Sequence, residues 1–326
     1  MPTLPEHPFA QYLRILGKGR QGSRHLSREQ AHQAMRMILE GHTADCQTGA
    51  FLMLLRVLDE STDEFTGMLE ATRMTVPPLP QGHIDLDWPA YAGKRKQLPW
   101  YLLAIRVLAS RGIRILLHCA PAPGRLHVHN LLDTLQLPWA HAWTDIPALI
   151  QKQGWACVDI AQTSPGLARL IQWRQLLGVR SSAHSLARLL NPANAPAMLV
   201  PIFHPAYRQT HQAVLAATGQ KNALVFKGEG GDPERNPQAS LPMNVIRDGI
   251  LSECTWPALC ETRTPADSTL DPDRLIALWQ GHLNEPYGVA AVQGTIALAL
   301  FALGKVTDDS EAHRLAAQWW NERIPD

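Results

Sequence analysis

Residues 26–73 read LSREQAHQAMRMILEGHTADCQTGAFLMLLRVLDESTDEFTGMLEATR, and their punctuation decides the start of the fold. Ser27 and Gln30 form an S-x-x-Q capping box, which predicts a helix over Arg28–Glu40. Gly41 is placed to end it, and Asp45 to cap a second helix. The apolar side of that helix carries Phe51, Leu54, Leu55 and Leu58 at i, i+3, i+4, i+7 spacing. Ser61 and Glu64 repeat the capping box, and Phe65, Met68, Leu69 and Thr72 trace the inner face of a third helix. Pro77, Pro78 and Pro80 then stop the helical run and mark a boundary.

Working outward from there, the pattern changes. Short apolar, β-branched runs alternate with helix-length segments, which implies a mostly parallel sheet with helices on its faces. Predicted strands are Ile84–Leu86, Ile113–His118, Cys157–Ile160, Met198–Phe203 and Ala223–Phe226. Predicted helices are Trp100–Ser110, Asn130–Leu135, Pro205–Thr218, Asp273–Leu283, Val289–Leu303 and Glu311–Glu322. The segment Leu167–Leu190 reads as helical, and either packs on the sheet or returns to the first domain. The expected division is a helical domain over 1–76, joined by 165–190, and an α/β domain over 80–164 and 191–326.

Composition bounds the function. The 326 residues carry 45% hydrophobic and 18% charged side chains with a net charge of +1, so the chain is globular and any basic surface must be local. The five cysteines are scattered, odd in number and form no C-x-x-C pair, which favours reduced thiols and a cytoplasmic protein over a disulfide framework. No secretory leader is read in Met1–Ala10. The apolar stretch Val289–Val306 is interrupted by Gln293 and Thr295 and reads as a buried helix, so no membrane partner is expected.

Several ordered segments resemble one family. The 26–73 stretch, LLGVRSSAHSLARLLNPANAP (176–196), FHPAYRQTHQAVLAATGQKNALVFKGEGG (203–231) and GTIALALFALGKVTDDSEAHRLAAQW (294–319) resemble anthranilate phosphoribosyltransferases, glycosyltransferase family 3, with the nucleoside phosphorylase fold. The resemblance implies a small all-α domain on a larger α/β domain, a ligand cleft between them, and a homodimer formed through the helical domain. It also implies a glycine-rich turn for the donor's pyrophosphate after the first strand of the α/β domain. Such a turn works because small residues let backbone N–H groups approach the anion beside a helix N-terminus.

Here that position reads Asp87-Trp88-Pro89-Ala90-Tyr91-Ala92-Gly93-Lys94-Arg95-Lys96-Gln97-Leu98-Pro99. Only Gly93 stays small and flexible, and Trp88 and Tyr91 add bulk. Lys94, Arg95 and Lys96 bring three cations to a helix start, a set that suits phosphate oxygens, while Tyr91, Trp88 and Trp100 offer stacking surfaces. The same run also reads as a solvated turn over core aromatics. In the next motif of the family only His118 matches, followed by Cys119-Ala120-Pro121-Ala122-Pro123-Gly124-Arg125. His127 and His129 lack a third metal ligand nearby and read as an ordinary polar turn.

Glu229, Asp232 and Glu234 sit where the resemblance implies magnesium ligands, with Pro233 splitting the last two. Gly230 and Gly231 suit an anion-binding turn or a tight turn alone. On the acceptor side Arg174 and Asn191 match the family, with Lys227 near the same cleft, though Arg174 also reads as a helix-surface residue. A flexible cationic stretch holds Arg14, Lys18, Arg20, Arg24 and Arg28 between glycines 17, 19 and 22.

Two functions follow as expectations. The loop and the FKGEGGDPERNP turn resemble a divergent YbiB-like branch, which implies a non-catalytic protein binding the phosphate backbone of DNA or RNA without sequence preference and needing no cofactor. The other is an active phosphoribosyltransferase using a phosphoribosyl diphosphate-type donor and magnesium.

Overall fold

The computed structural model describes residues 5–79, 83–121, 124–261 and 264–325; Pro80, Ala122 and Pro123 lie outside them. The chain opens with α1 (Ala10–Leu16), α2 (Arg28–Leu39), α3 (Asp45–Leu58) and α4 (Thr62–Arg73). Both capping boxes form. Ser27 Oγ accepts Gln30 N–H while Gln30 Oε1 accepts Ser27 N–H, and Ser61 and Glu64 do the same. Asp45 does not cap α3. It is the first helical residue, and Gln47 reaches back to accept the Ala44 N–H at 3.0 Å. Helices α2 and α4 approach so closely that a Cβ on Gly67 would lie 2.0 Å from the Arg28 carbonyl oxygen.

The α/β part then runs β1 (Leu86–Ala90), α5 (Tyr101–Ser110), β2 (Ile115–Cys119), α6 (Leu132–Leu135), β3 (Trp139–Ala140), α7 (Ile146–Gln153) and β4 (Trp155–Asp159). Next come α8 (Pro165–Gln172), α9 (Arg174–Leu177), α10 (Ala183–Leu189), β5 (Ala197–Ile202), α11 (Tyr207–Ala217) and β6 (Asn222–Lys227). The chain finishes with β7 (Leu241–Arg247), β8 (Ile250–Trp256), α12 (Asp273–Trp279), α13 (Pro286–Ala302) and α14 (Asp309–Asn321).

The eight strands form one sheet in the order β3-β4-β2-β1-β5-β6-β7-β8. The first six are parallel and the last two antiparallel. The β7–β8 hairpin was not anticipated. It turns on Asp248-Gly249, both at positive φ (51° and 80°), the conformation that a two-residue hairpin of this hand requires.

Strand alternation divides the core. Trp88, Leu117, Leu199 and Leu224 point to one face and pack with α5 and α13. Met198, Val200 and Val225 point to the other, where Phe51, Phe65, Leu167, Leu170 and Leu186 join them in a single cluster. Helix α10 packs against α4 and against strands β1 and β5, and α8 packs against α2 and α10. Helix α13 is apolar almost all round and buried, as the Val289–Val306 stretch predicts. Among the described residues no helix is long and apolar enough to cross a membrane.

Candidate functional site: a cleft whose anion seats hold carboxylates

The strand expected at Ile84–Leu86 lies further along, at Leu86–Ala90, and this shift remakes the loop. Asp87, Trp88, Pro89 and Ala90 belong to β1, and Trp88 and Trp100 are fully buried. Neither tryptophan offers a stacking face. Tyr91 is buried as well. Its hydroxyl lies 2.6 Å from His118 Nδ1, and His118 Nε2 lies 3.2 Å from the Asp87 carboxylate. Burial pushes the Tyr91 phenol well above its ordinary range. His118 thus anchors the end of β1 inside the protein and does not line the cleft.

The remaining turn, Tyr91–Leu98, is held by residues 140 positions away. Gly93 takes φ 70°, and a Cβ there would lie 2.5 Å from His127 Nε2. The N–H groups of Ala92 and Gly93 point at Asp232 Oδ1, at 2.8 and 3.3 Å. Lys94 is not a surface cation. Its Nζ lies 2.6 Å from Glu234 Oε1, and both side chains are buried. Glu234 Oε2 in turn accepts the N–H of Tyr101, the first residue of α5, at 2.7 Å. Burial pushes the Glu234 carboxyl up to about 7, against the pull of Lys94. Two anion seats, a pair of loop amides and a helix N-terminus, are therefore filled by the protein's own carboxylates.

This arrangement bears on magnesium. Asp232 is committed to amides, Glu234 to Lys94 and Tyr101, and Glu229 Oε2 accepts from Asn236 at 2.7 Å. Three separate carboxylates with three separate partners do not fit a shared hard-cation site. Among the described residues no group of three or more His, Cys, Asp or Glu is arranged to hold a metal. His127 is buried, and His129 pairs with Asp159 at 3.0 Å.

Beside the turn lies a cavity of about 550 Å³, lined by Gly93–Gln97, Arg125, Lys227–Gly230, Asn236 and Tyr287 among others. Arg95, Lys96 and Lys227 are exposed there. Arg125 bridges the walls, its NH1 donating to the carbonyls of Ala92, Gly93 and Gly230 at 3.1, 3.3 and 3.4 Å. Gly230 and Gly231 both take positive φ, at 66° and 92°. Asn191 is structural: at φ 47° it bonds Ala195 on both amide atoms and reaches Gln220.

Arg174 is half-buried and makes no hydrogen bond or ion pair among the described residues. It belongs to a field that sequence reading missed. Burial lowers Arg125, with Arg95 and Arg174 adding to the effect, and burial lowers Arg180 to about 10, with Arg188, Arg174 and Arg125 adding. His184 and Arg188 lie four residues apart on one face of α10, and Arg180 lies just before that helix. On the N-terminal stretch Lys18, Arg20 and Arg24 are exposed without ion pairs among the described residues, while Arg14 pairs with Glu6 and Arg28 with Glu70.

Comparison with known proteins agrees with this architecture. Residues 10–75 match the helical bundle domain of a glycosyl transferase family. An anthranilate phosphoribosyltransferase of Moorella thermoacetica is 28% identical over 269 residues, covering 82% of this chain and 77% of that protein. The uncharacterized protein YbiB of Escherichia coli is 27% identical over 251 residues, covering 74% and 78%. The fold is that of the anthranilate phosphoribosyltransferase of Thermus thermophilus, with a TM-score of 0.81 over 97% of this chain and 94% of that one at 20% identity. The Saccharomyces cerevisiae enzyme, solved in complex with PRPP and Mg, gives a TM-score of 0.76 over 96% and 93% at 16% identity. In sequence this chain is similar to anthranilate phosphoribosyltransferases, and it has their fold.

Proposed function

We propose that this protein binds nucleic acid through its phosphate backbone and transfers no phosphoribosyl group. The observation that carries the reading is the filling of both donor-loop anion seats by Asp232 and Glu234, beside a cavity still lined by exposed Arg95, Lys96 and Lys227. Phosphoribosyl transfer relies on positioning and charge stabilisation, and losing the groups that supply them raises the barrier steeply. Side-chain cations on an open rim suit successive phosphates, whereas close backbone seats suit one diphosphate. Exposed Lys18, Arg20 and Arg24 add a second cationic stretch, and a homodimer formed through the helical domain would present both twice.

The second reading is an active transferase, favoured by the similarity to anthranilate phosphoribosyltransferases over most of the chain. One paired experiment separates the two. Binding of a labelled single-stranded oligonucleotide is measured across a salt series, alongside pyrophosphate release from phosphoribosyl diphosphate with magnesium and anthranilate. The proposal expects salt-sensitive binding and no release. It also expects the salt slope to flatten by roughly 1.4 in an Arg95→Ala/Lys96→Ala variant, two contacts at about 0.7 each. Pyrophosphate release without oligonucleotide binding at low salt overturns it in favour of the transferase.

A further inference from the structure

A second cavity, of about 260 Å³, adjoins the first at Phe203. Helix α10 and the residues before it supply Arg180, Ser181, His184 and Arg188; the end of β5 and the start of α11 supply Ile202, Phe203, Tyr207 and His211; Arg56 and Glu60 complete the wall. Three polar atoms of its lining residues have no partner although they are buried: Arg188 Nε, Ser181 Oγ and His211 Nδ1. Arg188 is 6% exposed, and while its NH1 donates to the His184 carbonyl at 2.8 Å, its Nε bonds to nothing. Ser181 is also 6% exposed, and its hydroxyl is equally unpartnered. Arg180, on the same wall, makes no hydrogen bond or ion pair among the described residues.

A buried donor left without an acceptor is costly, and a buried guanidinium more so. Asp232, the carboxylate whose charge favours the Arg188 cation, makes no hydrogen bond to it and is itself tied to the loop amides. The wall's one carboxyl, Glu60, is held by burial above its usual range, with Arg56 pulling the other way. His184 and His211 stay neutral because burial and the Arg188 charge oppose a proton on either ring. The cavity thus presents three guanidinium groups, those of Arg56, Arg180 and Arg188, and the Ser181 hydroxyl, with apolar walls from Val179, Ile202 and Phe203.

We infer that this cavity is a small-oxyanion site that takes a phosphate monoester, seated on Arg180, Arg188 and Ser181. A phosphate monoester brings two charges and three acceptor oxygens, which match these donors, and its organic part meets the apolar wall. The site uses none of the cations assigned to nucleic acid, so it stands or falls apart from that reading.

The test is calorimetric titration of the full-length protein with phenyl phosphate and with inorganic phosphate, at fixed ionic strength with chloride as the reference. Wild type is expected to show one saturable site and a rise in melting temperature with phenyl phosphate. Arg188→Gln and Ser181→Ala are expected to weaken it at least about tenfold each, as the loss of a charge-assisted or buried hydrogen bond does. Arg180→Gln, at a half-buried position without a partner, keeps the test decisive if Arg188→Gln fails to fold, and is expected to weaken binding similarly. The surface change Lys152→Ala should leave binding as it is. Absence of a saturable site in wild type, equal affinity in the Arg180→Gln protein, or an effect that chloride reproduces would each overturn the inference.

Discussion

Asp232 and Ala92, separated by 140 positions in the chain, are joined by a 2.8 Å hydrogen bond from a backbone amide to a carboxylate oxygen. A second amide, that of Gly93, shares the same oxygen at 3.3 Å. The carboxylate occupies a seat that loop amides otherwise offer to an external anion. Replacing it should therefore expose the seat. In Asp232→Ala, stability is expected to fall by about 2 kcal/mol, the scale of a hydrogen bond to a charged group. Pyrophosphate affinity should rise about tenfold over wild type, read by calorimetry, with Asp232→Asn in between. Equal pyrophosphate affinity in wild type and Asp232→Ala would show that the amides are not an anion seat.

The Lys94–Glu234 pair makes a different prediction. Breaking a buried pair leaves one charge unmatched, whereas removing both partners does not. Lys94→Met and Glu234→Leu should each lose about 3–5 kcal/mol in urea denaturation, and the double variant should recover much of that. Simple additivity of the two losses would mean that the pair does not act as a unit.

The N-terminal cations are separable from the loop. Lys18, Arg20 and Arg24 are exposed and unpaired among the described residues, so Lys18→Ala/Arg20→Ala/Arg24→Ala should leave the melting temperature within about a degree while weakening oligonucleotide binding at low salt. Unchanged affinity would confine the nucleic-acid surface to the cleft.

Stability should also depend on pH through His184 and His211, each depressed to about 3, first by burial and then by neighbouring arginine. The unfolded chain takes up a proton on each ring below about 6.5, whereas the folded one resists until much lower pH. Stability is thus fully present above that value and lost as the solution is acidified. Between pH 7 and pH 5 the loss is about 2 kcal/mol for each histidine. Urea midpoints at the two pH values check this, and His184→Gln should remove about half of the dependence. A profile that stays flat down to pH 5 would rule out two neutral buried rings.

Close helix packing gives the last prediction. A Cβ at Gly67 would meet the Arg28 carbonyl oxygen at 2.0 Å, against backbone that has nowhere to move. Gly67→Ala is expected to cost about 1–3 kcal/mol despite the higher helix propensity of alanine, as overpacking does. A more stable variant by thermal melting would contradict the packing.

Local signals were legible in the chain and distant ones were not. Ser27–Gln30 and Ser61–Glu64 satisfy each other within one turn, so the helical start could be read directly. The strand β1 was placed too early because Asp87 interrupts its apolar run, and only the fold shows that His118 meets that carboxylate. Lys94 belongs to a Lys-Arg-Lys run that reads as solvated. What removes it from the surface is Glu234, which no local pattern could pair with it. The Asp248-Gly249 hairpin and the grouping of Arg180, His184 and Arg188 were in plain view and were missed, the first because β7 reads as irregular, the second because arginines in and beside a helix suggest surface.

The knitting of the Tyr91–Leu98 turn has a kinetic side. Asp232 and Glu234 fasten it from one segment and Arg125 from another. Its shape is therefore set when the chain folds, and the deuterium exchange of the Ala92 amide should run at the pace of sheet opening and not at that of a mobile loop. Whatever enters the cleft meets a rigid floor, and adaptation falls to the long side chains standing on it.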